Sequence, residues 1–171
     1  MRWPNHVLIA GAVTVTIDPV LAPGAILGAT APDWLEWLIY PIRKVKHRGV
    51  THYLVVWLAL VVFFWLGPDF RHLGLAFSLG GLWHILTDAM TISGVPVGPW
   101  SDRKMYLFGG KLKTGSPTEY IIAAVVVLIC AMIAWHKPSS GFVPFFFDWA
   151  EYYHQGLIDG KEWKDNRFRI L

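Results

Sequence analysis

The apolar run from Leu73 to Ile92 holds two ionisable side chains, His84 and Asp88, within the stretch Gly80-Gly-Leu-Trp-His-Ile-Leu-Thr-Asp88. Four residues apart, they lie one above the other on a single helical face. A run of this length is a candidate bilayer span, where an imidazole or a carboxylate is costly unless it meets a partner or a metal. What His84 and Asp88 face therefore constrains the whole fold.

The rest of the chain supports a membrane setting. Of its 171 residues 54% are hydrophobic, ten are Trp and only 16% are charged, with a mean hydropathy of +0.42. These values describe an integral membrane protein better than a soluble one. The net charge of +3 gathers outside the apolar runs, at 43–48, 103–113 and 161–169. That is membrane-flanking charge, so a nucleic-acid partner is not expected. Cys130, the single cysteine, allows no internal disulfide and suits apolar packing. Asp18, Pro19 and Pro23 interrupt the early apolar stretch, and Pro32 follows the small triplet Ala29-Thr-Ala31. The N-terminus is therefore expected to be retained and not cleaved as a signal peptide.

Read in order, residues 6–31 predict two short helices or a re-entrant hairpin. Trp34, Trp37 and Tyr40 predict an interfacial aromatic belt. The run Val50–Leu66 is joined to Leu73–Ile92 by a turn short enough to make the two helices antiparallel neighbours. At roughly 1.5 Å per residue, His52 lies about 22 Å from that turn, His84 about 17 Å and Asp88 about 23 Å. His47, His52, His84 and Asp88 should converge at the end that carries the basic loop 43–48. The Gly- and Pro-rich loop from Ser93 to Thr118 returns to the same face, which the positive-inside rule makes cytoplasmic. Glu119–Trp135 reads as the last span. The predicted class is all-α: a polytopic helical membrane protein with about three to four membrane helices plus the broken N-terminal segment. Residues 1–135 form the membrane domain, and 136–171 an aromatic interfacial segment, Phe142–Trp149, with a polar tail.

Six residues could bind a metal: His6, Asp33, His47, His52, His84 and Asp88. Neutral imidazoles and carboxylates are the donors that zinc or manganese takes. In a soluble helix, a core histidine bonded to a carboxylate would be the better reading of His84 and Asp88, but membrane depth favours a paired or metal-bound role. In His47-Arg-Gly-Val-Thr-His52, Gly49 permits a tight turn, and the competing reading is a basic surface loop with Thr51 capping a helix. Asp33 suits helix capping after Pro32 as well as ligation, and Glu36 suits a ligand, a general base or an interfacial group. His72 and His136 read as solvated, and the Glu151/His154 pair as interfacial.

Ala31-Pro-Asp-Trp-Leu-Glu36, His47-Arg-Gly-Val-Thr-His52, Trp83-His-Ile-Leu-Thr-Asp88 and Thr91-Ile-Ser-Gly-Val-Pro96 resemble, in order and spacing, the bacterial family of YdjM-like, LexA-regulated inner-membrane metal-dependent hydrolases. The resemblance runs from about Gly28 to Glu119. It implies a multi-pass protein of the bacterial inner membrane, with Asp33, His47, His52, His84 and Asp88 on metal-binding positions and Glu119 on the family's glutamate. The residue order is more distantly similar to zinc-dependent phospholipases C, which implies a phosphoester substrate and adds His6 to the ligands. Where the family usually reads Pro-Asp-x-Asp-His this chain has Leu35 and Glu36, and Tyr53 stands for a usual serine.

The expected function is a membrane-bound hydrolase with one or two divalent ions, zinc before manganese, acting on an amphiphilic phosphoester among membrane lipid. Glu119 or Glu36 would be the general base, and Arg48 would steady an anionic substrate. The alternative is a non-catalytic structural or assembly subunit of a membrane complex or homo-oligomer that keeps a metal or His-Asp site for folding. Proton-coupled transport fits less well, since no repeat is visible.

Overall fold

The computed structural model describes residues 1–42, 48–67, 69, 72–136 and, in the tail, 154, 156 and 159–161. His47, Arg71, Glu151 and the 142–149 segment lie outside the described residues. The described residues form six α-helices: α1 (Trp3–Ile17), α2 (Ala22–Gly28), α3 (Ala31–Ile39), α4 (Leu54–Leu66), α5 (Leu73–Ala89) and α6 (Pro117–His136). Proline stands in the first two positions of α1, α2 and α3, where its missing N–H costs nothing and its fixed φ suits the helix. Asp18 is extended and a 3-10 turn at Pro19–Leu21 follows, so the first apolar stretch forms two short helices packed on each other. The Asp69 carboxylate accepts hydrogen bonds from the Gly74 and Leu75 N–H groups at 2.8 and 2.7 Å, capping the start of α5.

α5 is the central element, in contact with α1, α2, α3 and α4. Its closest neighbour is α2, and small residues make that approach possible. A Cβ added at Gly28 would stand 1.9 Å from the Phe77 carbonyl oxygen, and one at Gly80 would stand 2.0 Å from that of Ala25. Gly24 and Gly28 of α2 thus meet Ala76 and Gly80 of α5, two small-xxx-small pairs that let backbones touch. On another side of α5 the buried Trp57 ring of α4 lies directly over Gly81, where a Cβ would come within 1.9 Å of it. Ala31, Trp57, Ile85, Ala89 and Val95 form one core cluster. Met1, Ile9, Leu112 and Ala123 form a second, between α1 and α6.

The structure corrects one sequence expectation and does not confirm another. The segment after α5, read as a loop, contains an antiparallel hairpin of β1 (Val95–Gly98) and β2 (Ser101–Met105), so the fold is mostly helical and not all-α. Pro96 is tolerated because both strands of a two-stranded ribbon are edges. The count of three to four spans is the one not confirmed. Among the described residues only Pro117–His136 is long and apolar enough to cross a bilayer. α1, α4 and α5 have 15, 13 and 17 residues. At about 1.5 Å per residue they reach roughly 20–26 Å, short of a hydrocarbon core of about 30 Å. Within the Leu73–Ile92 run the helix ends at Ala89, and the chain turns toward β1.

The apolar surface fits a lipid setting all the same. α6 exposes Leu128 and Met132, and α4 exposes Phe63, Trp65 and Leu66, large apolar side chains clustered on helix faces as a lipid contact requires. Trp37 and Tyr40 of the expected belt are exposed, whereas Trp34 packs on Phe77.

Candidate metal centre

The start of α1, the start of α3, the turn before α4 and the end of α5 meet at one end of the molecule. His84 and Asp88 occupy the last two turns of α5, and His52 is supplied by a 3-10 turn at Val50–His52. Their side chains lie together at that end: the His52 and His84 ring centroids are 5.3 Å apart. Asp33 enters from the first turn of α3. His6, from α1, stacks on His84 with centroids 3.8 Å apart and planes 13° from parallel.

His84 defines the site. Its Nδ1 lies 2.7 Å from the Ala29 carbonyl oxygen, and because a carbonyl only accepts, Nδ1 carries the proton. The neutral ring then turns the lone pair of Nε2 inward. That atom is buried without a hydrogen-bond partner among the described residues. It stands 3.9 Å from Asp33 Oδ1 and 3.8 Å from Asp88 Oδ2, too far for hydrogen bonds. Donors around a tetrahedral ion with bonds of 2.0–2.2 Å stand about 3.4 Å apart, so these gaps match a shared cation.

His52 is oriented in the same way. Its Nδ1 lies 3.1 Å from Glu36 Oε1 and 3.0 Å from Thr51 Oγ1, which directs Nε2 to within 3.3 Å of Asp33 Oδ1. An imidazole whose far nitrogen is held by a carboxylate is the usual outer arrangement of a metal-ligating histidine. Burial pushes the Asp33 carboxyl up, but the neighbouring His52 and His84 rings and the hydrogen bond from the Trp3 indole N–H outweigh it and hold the group at about 2. Asp33 is thus ionised at any ordinary pH, and a metal need not displace a proton from it.

Around His6 a second group of donors forms. Nδ1 meets Thr87 Oγ1 at 2.8 Å, and the Thr87 hydroxyl donates to the Trp83 and His84 carbonyl oxygens. His6 Nε2 faces the Met1 carbonyl oxygen at 3.2 Å and Asp88 Oδ1 at 3.4 Å. Two oxygens and a ring nitrogen converging this way call for a cation between them. Two sets of three, His6–His84–Asp88 and Asp33–His52–His84, have all donor atoms within 4.8 Å of one another. They share His84, whose single inward nitrogen serves one ion at a time.

Among the sequence candidates, then, the structure brings together His6, Asp33, His52, His84 and Asp88. Glu36 and Arg48 border the cluster. Arg48 Nη2 lies 2.8 Å from Asp88 Oδ2, and its Nη1 donates to the Gly94 carbonyl oxygen and Thr91 Oγ1 at 3.0 and 3.3 Å. The left-handed residue of this turn is Arg48, with φ 60°, beside Gly49, whose backbone is neither helical nor extended. Its backbone N–H donates to Glu36 Oε1 at 2.9 Å, which holds that uncommon conformation in place. Thr51 does not cap α4, because its hydroxyl belongs to the Glu36–His52 network.

Glu119 is not drawn into the donor group. It is fully buried and accepts from the Arg2 and Gly115 backbone N–H groups and the Asn5 amide, tying α1 to the start of α6. Sequence reasoning missed the Ala29 carbonyl, Trp3, Thr87 and the Met1 backbone nitrogen, which contacts Asp88. The Gly24/Gly28 spacing could have pointed to Ala29. No local signal marks the others.

Comparison with known proteins finds an inner-membrane family. A family model described as "YdjM inner membrane protein" matches residues 1–150. The proteins called "Inner membrane protein YdjM" from Escherichia coli (strain K12) and Shigella flexneri are each 33% identical over 100 residues, covering 54% of this chain and 48% of the relative. The chain spans about half the length of these curated relatives. No solved structure matches it.

Proposed function

Because the chain belongs to the YdjM inner membrane protein family and so resides in the bacterial inner membrane, we propose that it is a membrane-bound metal-dependent hydrolase acting on an amphiphilic phosphoester at the cytoplasmic face. The observation that carries this reading is the buried, unpartnered Nε2 of His84 held between two carboxylates. Asp33, His52 and His84 would hold one divalent ion, zinc before manganese, with His6 and Asp88 offering a second position beside it. Bound there, the ion supplies Lewis acidity toward a phosphoryl oxygen.

The chain's own residues supply the rest. Asp33, Glu36 and Arg48 have side chains 18, 13 and 16% exposed, against 0–1% for His52 and His84, so substrate approaches from their side. Glu36 borders the donors and would accept a proton besides orienting His52, while the Arg48 guanidinium, which balances Asp88, would present positive charge to an anion. Arg48 and the 93–113 segment meet at this end, which supports a cytoplasmic orientation by the positive-inside rule. The exposed apolar surfaces of α4 and α6 support a multi-pass arrangement in which the shorter helices enter the bilayer beside α6.

The second reading is a structural or assembly subunit that keeps the metal for folding, in a membrane complex or homo-oligomer. It is favoured by the near-complete burial of His6, His52, His84 and Asp88. Detergent-purified protein loaded with zinc and offered a chromogenic phosphodiester amphiphile separates the two. The hydrolase reading predicts turnover that falls by at least about 10²-fold in Asp33→Asn, with helix content unchanged. Absence of turnover in the metal-loaded protein, together with unfolding of the variant, supports the structural reading instead.

A further inference from the structure

A cleft of about 290 Å³ opens beside the first turn of α6, on a different set of side chains from the metal donors. Lys111, Lys113, Ser116 and Thr118 give it a polar, cationic side, and Phe108 and Ile122 an apolar one. Its apolar wall also includes Met90 and Leu112, which belong with Ile122 to the second core cluster and its packed neighbours. The Ser116 hydroxyl oxygen is buried there without a hydrogen-bond partner among the described residues. Two successive glycines at positive φ, Gly109 at 75° and Gly110 at 59°, turn the chain so that Phe108 stands 83% exposed ahead of the lysines. Past Ile122, α6 continues into its exposed apolar surface with Val125, Leu128 and Ile129.

We propose that this cleft binds the phosphate headgroup of an anionic membrane phospholipid, with one acyl chain lying along α6. Two ammonium groups complement the lipid's charge, and the orphaned Ser116 hydroxyl donates to a phosphate oxygen. The helix start adds a favourable partial positive charge. The aromatic and basic residues beside an apolar helix face match the boundary between headgroups and acyl chains. A soluble anion would use the lysines but leave the apolar wall and the α6 face uncovered, so the lipid is the occupant that fits. The proposal does not depend on the metal reading.

The test uses the full chain in detergent, with retained lipid counted by native mass spectrometry after mixing with phosphatidylglycerol or phosphatidylcholine. Wild type should retain phosphatidylglycerol preferentially. At roughly fivefold per lysine near an anionic lipid, Lys111→Gln/Lys113→Gln should weaken that preference about 20-fold. Lys111→Arg/Lys113→Arg should restore it, and Lys104→Gln, whose ammonium group bonds to the Ser93 carbonyl oxygen away from the cleft, should not change it. Equal retention of the two lipids by wild type would overturn the assignment, as would an unchanged preference in the double Gln variant. Displacement of the lipid by millimolar inorganic phosphate would show a free-anion site instead.

Discussion

At the scale of single residues the account rests on how each imidazole is aimed. His84 and His52 have their Nδ1 atoms fixed by an acceptor outside the donor cluster, the Ala29 carbonyl and the Glu36 carboxylate, so their Nε2 atoms have little choice of direction. Glu36 is therefore expected to act through His52. Glu36→Gln keeps size and one acceptor oxygen but removes the charge, and should lower zinc affinity about 10–100-fold, measured by competition with a chelating dye. An unchanged affinity would mean that Glu36 does not position His52. Asp88→Asn is harsher. It leaves the Arg48 guanidinium without its carboxylate at 2.8 Å, and breaking a largely buried pair should cost about 3 kcal/mol in thermal or denaturant unfolding as well as the metal. His84→Gln tests the donor itself and should lose metal with less cost to the fold.

At the scale of elements the site depends on how closely α2 and α5 approach. The Ala29 carbonyl reaches His84 because Gly24, Gly28 and Gly80 carry no Cβ where α2 and α5 touch, at the Ala76 methyl and the Phe77 and Ala25 carbonyls. Gly80→Ala puts a methyl group against the Ala25 carbonyl, backbone that cannot move aside, and should destabilise the fold by about 3 kcal/mol. It should also weaken metal binding although it touches no donor. Trp57 acts similarly from α4, since its indole N–H donates to the Thr51 carbonyl at 2.8 Å and steadies the turn that presents His52. Trp57→Phe leaves that buried carbonyl unpaired and should cost about 2 kcal/mol by denaturant unfolding. These dependences mark the limit of what the sequence shows. The helical hairpin and the placing of His52, His84 and Asp88 at one end follow from run lengths and turn length. The Ala29, Trp3 and Thr87 partners do not, because they come from chain crossings that local pattern does not encode. The β1–β2 hairpin was hidden for a related reason: Gly- and Pro-rich sequence reads as loop whether or not its backbone pairs.

At the scale of the whole molecule, a buried polar cluster sits at one end of an apolar bundle. α6 is the one described helix that meets the length and composition of a full span, and its 18-residue apolar window is only 17% buried. Its exposed side chains should therefore meet acyl chains. Cysteine substituted at Leu128 or Met132 in membranes should resist water-soluble maleimide, and cysteine at Lys113 should react. Labelling at all three positions would place α6 outside the bilayer. Composition predicted this membrane character, whereas the number of spans is not confirmed, since apolar runs counted along the chain include residues that the structure spends on turns.

What most needs testing is that the donor cluster around His84, with Asp33 and His52 on one side and His6 and Asp88 on the other, holds a divalent metal. Elemental analysis of protein purified in detergent without chelator tests it most directly, with wild type, His84→Gln and Asp33→Asn measured side by side. The account predicts about one zinc or manganese per wild-type chain, at most two if the His6 position also fills, and a loss of at least one ion in either variant while helix content persists. Wild-type protein without stoichiometric metal, or variants that retain the full complement, would contradict it.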